Sequence, residues 1–240
     1  MSLCFAASAG GTDDTDHAVP SYTGRPTAVS VGVWFKAFDS GLGLNFLEYV
    51  GGSALIFNQH TDGAFWAPRI VRGYSTTNLD SYAGGRAVDT TQWLFWMACH
   101  DGTGSDAAVF VHEAGVDGDY VATQTNGVGT LGTTTGGLMI GFNASGALLV
   151  PLKARIADMF ILDYVPTSTE RTSLAAGASP MSLAVQPVWY NRLRTNGTGT
   201  DAQVGSLSSV SGAAFNTTDN QTVADPGAGS TPRLLMLGAG

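Results

Sequence analysis

The run QWLFWMACH, from Gln92 to His100, is apolar on both of its faces. In an extended chain successive side chains point to opposite sides. Trp93, Phe95, Met97 and Cys99 then share one face, and Trp96 falls on the other. A strand that reads this way has to be covered on both sides. A polar stretch, DGTGSD, follows at 101–106, and a second apolar run goes from Ala107 to Glu113. The pattern predicts a core hairpin inside a larger β-structure, with a polar turn.

The rest of the chain repeats the theme. Ala28 to Phe38, AVSVGVWFKAF, is β-branched and aromatic, with Val29, Val31, Val33 and Phe35 on one face. Leu44–Tyr49 and Ala54–Gln59 flank Gly51-Gly52, a hairpin signal. Phe65–Tyr74 reads as a strand, and Pro68 within it argues for an edge position or a bulge. Ser2–Ala9, Gly137–Asn143 and Ala154–Tyr164 complete the expected strands.

Composition agrees. Charged residues make up 12% of the chain, about half the usual share. Two lysines and three glutamates cannot supply the wet faces of long amphipathic helices, whereas 32 glycines suit many turns. One helix is expected. PTSTERTSLAAGASP offers Thr167 as N-cap and Glu170 three residues on, the capping-box spacing. Gly177 supplies a left-handed stop, Pro180 prevents continuation, and Leu174 is the expected anchor.

The formal charge of −8 repels phosphate backbones, so nucleic acid is not an expected partner. No apolar stretch approaches the length needed to span a bilayer, and membrane insertion is not expected. The start, MSLCFAASAGG, lacks the basic beginning and long apolar core of a secretion signal. Cys4 and Cys99 are read as buried thiols. A disulfide between them needs Cα atoms within roughly 7 Å, which the sequence leaves open. No Cys/His spacing resembles a zinc site.

VSVGVWFK, then QWLFWMACHDGTGSDAAVFVHEAG, then LMIGFN, then ARIADMFILDYVPTSTERTSLAAG with its capped helix, resemble in order and spacing the laminin-G-like, concanavalin A-like jelly roll. The resemblance covers residues 1–180 and implies an all-β fold. That fold is a two-sheet antiparallel β-sandwich with one short helix near 168–176. Residues 181–240 are then an extension of strand and arm segments, packed on the domain or on a neighbouring subunit. The stretch AAGASPMSLAVQPVWYNRLRTNG followed by VGSLSSVSGAAF resembles the extension after such domains in tailed-phage virion proteins. This second resemblance implies a virion structural module, capsid decoration or tail fibre. It would be made in the host cytoplasm, homo-oligomeric, and in contact with other virion proteins.

Candidate chemistry is sparse. Some jelly rolls of this superfamily hydrolyse glycans with paired carboxylates, but Glu48, Glu113 and Glu170 are far apart, so no catalytic residue is assigned. Ser105, His100 and Asp101 or Asp106 flank the central turn, where such residues serve the turn itself. Asp13, Asp14 and Asp16 cluster in one expected loop and Asp117 and Asp119 in another. They are the candidate ligands for calcium, which takes several oxygen donors. Asp158, if buried, needs a partner, and Arg155 is a candidate. For a host surface glycan the candidate contacts are Trp66, Tyr74, Asn78 and Tyr82, in a loop-rich stretch where aromatic side chains also serve cores and interfaces. The expected function is a non-enzymatic virion structural protein with carbohydrate-binding capacity, the alternative being a carbohydrate-binding adhesion module. A glycan hydrolase or lyase ranks third.

Overall fold

The computed structural model describes residues 2–4, 17–37, 45–49, 55–62, 65–82, 91–104, 107–113, 116–120, 123–132, 137–141, 154–194, 202–211 and 214–216. Two antiparallel sheets face each other. Numbered in chain order, the first sheet runs β10 (Val116–Tyr120), β9 (Ala107–Glu113), β8 (Leu94–His100), β3 (Val29–Ala37), β13 (Ala154–Leu162), β1 (Ser2–Cys4) and β17 (Ala214–Asn216). The second runs β11 (Thr123–Thr125), β7 (Leu79–Tyr82), β6 (Phe65–Arg72), β5 (Ile56–Asp62), β4 (Asn45–Tyr49) and β12 (Leu138–Met139). β14 (Trp189–Asn191) also joins β13 and carries β15 (Ala202–Val204). β16 (Leu207–Ser211) pairs with β2 (His17–Pro20), and a bridge from Ala18 to Ile140 ties that pair to the strand end at β12.

The predicted sandwich is the observed one, and the two tryptophans of the central hairpin show why. Trp96 packs between the sheets against Phe35 and Phe46, with ring centroids 4.7 and 5.8 Å away. Trp93 lies on the other side of β8, in a second apolar cluster with Phe95, Met97, Phe160 and Tyr190. That outer cluster is covered by α1 (Ser168–Ala175) through Leu174 and Ala175. Both faces of β3, β8 and β13 are therefore dry, which accounts for the unbroken apolar runs.

The helix forms as its sequence dictates. Thr167 accepts from the Glu170 N–H, and the Glu170 carboxylate takes the Thr167 N–H at 2.8 Å, a complete capping box. At the other end Gly177 has φ +91°. Gly177 N donates to Leu174 O and Ala178 N to Ser173 O, closing a Schellman turn. Pro180 does more than stop the helix, since it begins a short 3-10 turn, Pro180–Ser182.

Two expectations change. β6 is an interior strand in unbroken register with β5, not an edge or a bulge. Pro68 is tolerated because β7 pairs only with Arg69–Arg72, so no neighbour on that side asks for its missing N–H. Asp117 and Asp119 lie in strand β10 rather than a loop, paired with His112 and Phe110 of β9. Asp158 is indeed buried, and its partners include Tyr190 and Arg194. β13 loses register at that point, so local alternation does not say which side chain meets it.

The question of the cysteines closes. β1 and β8 are three strand spacings apart in the sheet, about 14 Å, and Cys99 is a buried thiol outside any disulfide. Residues 181–194 and 202–211 pack on the sandwich of the same chain. Trp189, Leu193 and Leu207 belong to the inner core, Leu183 and Tyr190 to the outer one. Among the described residues no helix is long and apolar enough to cross a membrane.

Candidate functional site

One end of the sandwich gathers four connections. Val29, the first residue of β3, lies opposite His100, the last of β8. β6 ends and β7 begins at the same end, at Arg72 and Leu79. The segments 21–28, 73–78, 101–104 and 126–132 meet there. Gly127 N donates to Gly104 O at 2.7 Å, and Gly132 N to Gly73 O at 2.7 Å. Thr77 and Val128 form a bridge, and Arg72 Nη2 reaches Pro26 O at 3.2 Å.

Tyr74 holds this rim together. Its hydroxyl donates to Thr103 O at 2.8 Å, and its backbone N–H donates to Asn78 Oδ1 at 3.2 Å. Gly127 lies so close to the Tyr74 ring that a side chain there would collide with it. Beneath the ring, fully buried His100 has Nε2 2.7 Å from Thr103 O. A carbonyl only accepts, so Nε2 carries the hydrogen. Asp101 fixes the turn from outside: its Oδ1 takes both the N–H and the hydroxyl of Thr103 at 2.8 Å. Burial raises the Tyr74 phenol above its ordinary range, Arg72 opposes this and Asp101 adds to it. Tyr74 is therefore a neutral donor at physiological pH.

What this rim shows to solvent is distinctive. Val128 is 50% exposed beside the half-buried Tyr74. Around them stand exposed hydroxyls and amides: Ser75, Thr76, Thr77, Asn78, Thr103, Asn126 and Thr130. Such a surface offers an apolar contact ringed by hydroxyls and amides, with the exposed Asp101 carboxylate at its edge. Arg25, also exposed, has its Nη1 held by Thr23 O and Gly24 O on the adjoining 21–28 segment.

The four residues singled out in the sequence for glycan contact do not form one cluster. Tyr74 and Asn78 meet at the rim. Tyr82 lies at the far end of β7, opposite Arg69 and Thr123, about 13 Å along the strand from Asn78. Trp66 pairs with Thr61 near the start of β6, roughly 26 Å along the chain from Tyr74. Its side chain lies outside the described residues, as do Asp13, Asp14, Asp16 and the side chains of Asp117 and Asp119. Among the described residues no three His, Cys, Asp or Glu side chains gather so as to hold a metal ion. Sequence reading missed Val128 and Thr103. Nothing in a TNGVGT or DGTG stretch announces that it will close over an aromatic ring more than twenty residues away.

The sequence matches no protein-family model and no curated protein. The fold does have solved counterparts. A candidate carbohydrate-binding protein from Bacteroides ovatus superposes with a TM-score of 0.58 at 10% identity, over 89% of this chain and 59% of that one. The chain has a two-sheet jelly-roll β-sandwich fold. It spans less than two thirds of that protein's length. The heptameric SAP-like pentraxin of Limulus polyphemus matches at a TM-score of 0.49 and 13% identity, over 74% of this chain and 82% of its own. The CBM40 of the Ruminococcus gnavus IT-sialidase, solved with α2,3 sialyllactose, gives 0.49 and 12% identity, over 73% and 95%. Identities this low speak for the fold alone.

Proposed function

We propose that this chain is a non-enzymatic carbohydrate-binding module whose site is the loop rim around Tyr74, Asn78 and Val128. The observation that carries the reading is the chemistry of the rim. Sugars present C–H faces edged by hydroxyls, and the rim presents an exposed valine and a tyrosine edged by hydroxyls and amides. Few-point polar recognition around an apolar contact is how small-molecule sites fix orientation. The rim is also pre-formed. Its hydrogen bonds are made within the protein, so little ordering cost falls on the ligand. The description of the Bacteroides ovatus protein as a candidate carbohydrate binder is consistent with this reading.

The finer reading is a virion exterior module that meets a host surface glycan. It rests on the resemblance of the segment after the helix, and it implies a homo-oligomer in contact with other virion proteins. Light scattering on the full chain tests it, with an oligomer expected and a monomer counting against it. Calcium is proposed only for the acidic segment Asp13, Asp14 and Asp16. A rise in melting temperature on adding calcium, abolished by Asp14→Asn with Asp16→Asn, is the expected result.

The test of the main reading is a glycan array probed with the labelled full chain. Binding to at least one neutral glycan is expected. Silence across the array from a folded sample would overturn it.

A further inference from the structure

We propose that the cleft between α1 and the returning segment 178–184 is a second ligand site, one that takes a single uncharged polyol ring of pyranose size. The Schellman turn at Gly177 reverses the chain, and the hydroxyl of Ser179 caps the 3-10 turn by accepting from Met181 N. The segment that follows therefore lies back along the helix and leaves a cleft of about 160 Å³. That is below the 300–1,000 Å³ typical of drug-sized ligands and equal to roughly five waters. One six-membered ring with its hydroxyls is of this size.

The lining selects the chemistry. Thr169 and Ser173 stand one turn apart on α1 and put two hydroxyls on the same wall. Ser182 faces them from the return, its own hydrogen donated to Ser179 O at 2.7 Å, so its oxygen is turned into an acceptor. Leu183, Ala178 and Ala184 supply apolar surface for ring C–H groups. Glu170 completes the lining, its Oε2 fixed by the Thr167 N–H and hydroxyl at 2.8 and 2.9 Å. A fixed carboxylate with no basic residue in the lining disfavours anions and accepts from vicinal hydroxyls. Val185, which follows Ala184 of the lining, is 52% exposed.

This cleft shares no residue with the rim, so the two sites are tested apart. The experiment is saturation-transfer NMR on the full chain with the methyl glycosides of glucose, galactose and mannose as probes. Ser173 is exposed on the helix and leucine is a better helix former, so Ser173→Leu fills the cleft without unfolding it. Transfer to ring protons of at least one glycoside is expected, with a dissociation constant on the order of millimolar, as befits so few contacts. It should weaken about tenfold or vanish in Ser173→Leu and persist in Val128→Asp. No transfer from any probe, or transfer equal in Ser173→Leu and the parent protein, would overturn the proposal. Transfer lost only in Val128→Asp would assign the sugar to the rim and remove the cleft as a site.

Discussion

Tyr190 donates its hydroxyl hydrogen to Asp158 Oδ1 across 2.7 Å, where neither residue reaches solvent. The other carboxylate oxygen meets Arg194 Nη2, also at 2.7 Å. Asp158 sits at φ +49°, where β13 breaks register with β3, and its N–H donates to Arg192 O. A single buried carboxylate thus ties the central strand β13 to the segment that carries β14.

Removing that carboxylate takes the acceptor from the buried Tyr190 hydroxyl and one ion-pair partner from the part-buried Arg194. Asp158→Ala is predicted to lower unfolding free energy by about 1–3 kcal/mol through the unsatisfied Tyr190 hydroxyl, with a further loss from the Arg194 pair and from strain in a left-handed backbone. Asn tolerates that conformation and keeps an acceptor, so Asp158→Asn loses less. Urea midpoints of the two variants check this, and equal losses would show that the retained acceptor and the tolerated backbone add nothing, leaving the charge to account for the whole effect.

The same pair sets a limit at high pH. Burial is the main reason the Tyr190 phenol lies far above its ordinary value, and the charge of Asp158 and the hydrogen bond to it add to that. Below about pH 10 the folded and unfolded chains both keep this proton, and the stabilisation is complete. Above it the unfolded chain releases the proton and the folded chain does not. Stability then falls by about 1.4 kcal/mol per pH unit. Tyr74 and Tyr164, also raised by burial, act in the same direction. Tyr190→Phe is predicted to flatten this alkaline limb while lowering stability near neutrality. Unfolding curves at pH 8 to 11 supply the comparison.

Ending the chain at Pro180 removes Trp189 and Leu193 from the inner core and Tyr190 from the outer one. It also takes away β17, which flanks β1, and β16, which flanks β2. A fragment of residues 1–180 is therefore predicted to lose cooperative folding. A sharp thermal transition and dispersed amide spectrum from that fragment would instead establish 1–180 as a domain of its own.

The cap of α1 makes a smaller prediction. Thr167→Ala gives up the hydroxyl that accepts from Glu170 N and is expected to cost about 1 kcal/mol. A shift of that size in the urea midpoint, without a change in slope, checks it.

What could be read from the sequence was local. The hairpin at 92–113 announced itself because alternation put Trp93 and Trp96 on opposite faces. The helix did so because Thr167, Glu170 and Gly177 are within one short stretch. The rest depends on pairings between residues far apart. β2 acquires its partner β16 from almost two hundred residues away, and Asp158 finds Arg194 across a break in register. The rim is of the same kind. Tyr74 and Asn78 were legible as polar-aromatic loop residues, but Val128 and Thr103 joined them only through long-range hydrogen bonds. Trp66 was conspicuous in the sequence, yet its position on β6 lies at the other end of the strand.

The most direct test of the account is the affinity of an array-selected glycan for the parent protein and for Val128→Asp, measured by calorimetry. Position 128 is half exposed, so the substitution leaves the core untouched but sets a charge against the sugar's apolar face. The account predicts at least about a tenfold loss of affinity with an unchanged melting temperature. Equal affinity in the two proteins would contradict it and move the binding site away from the rim.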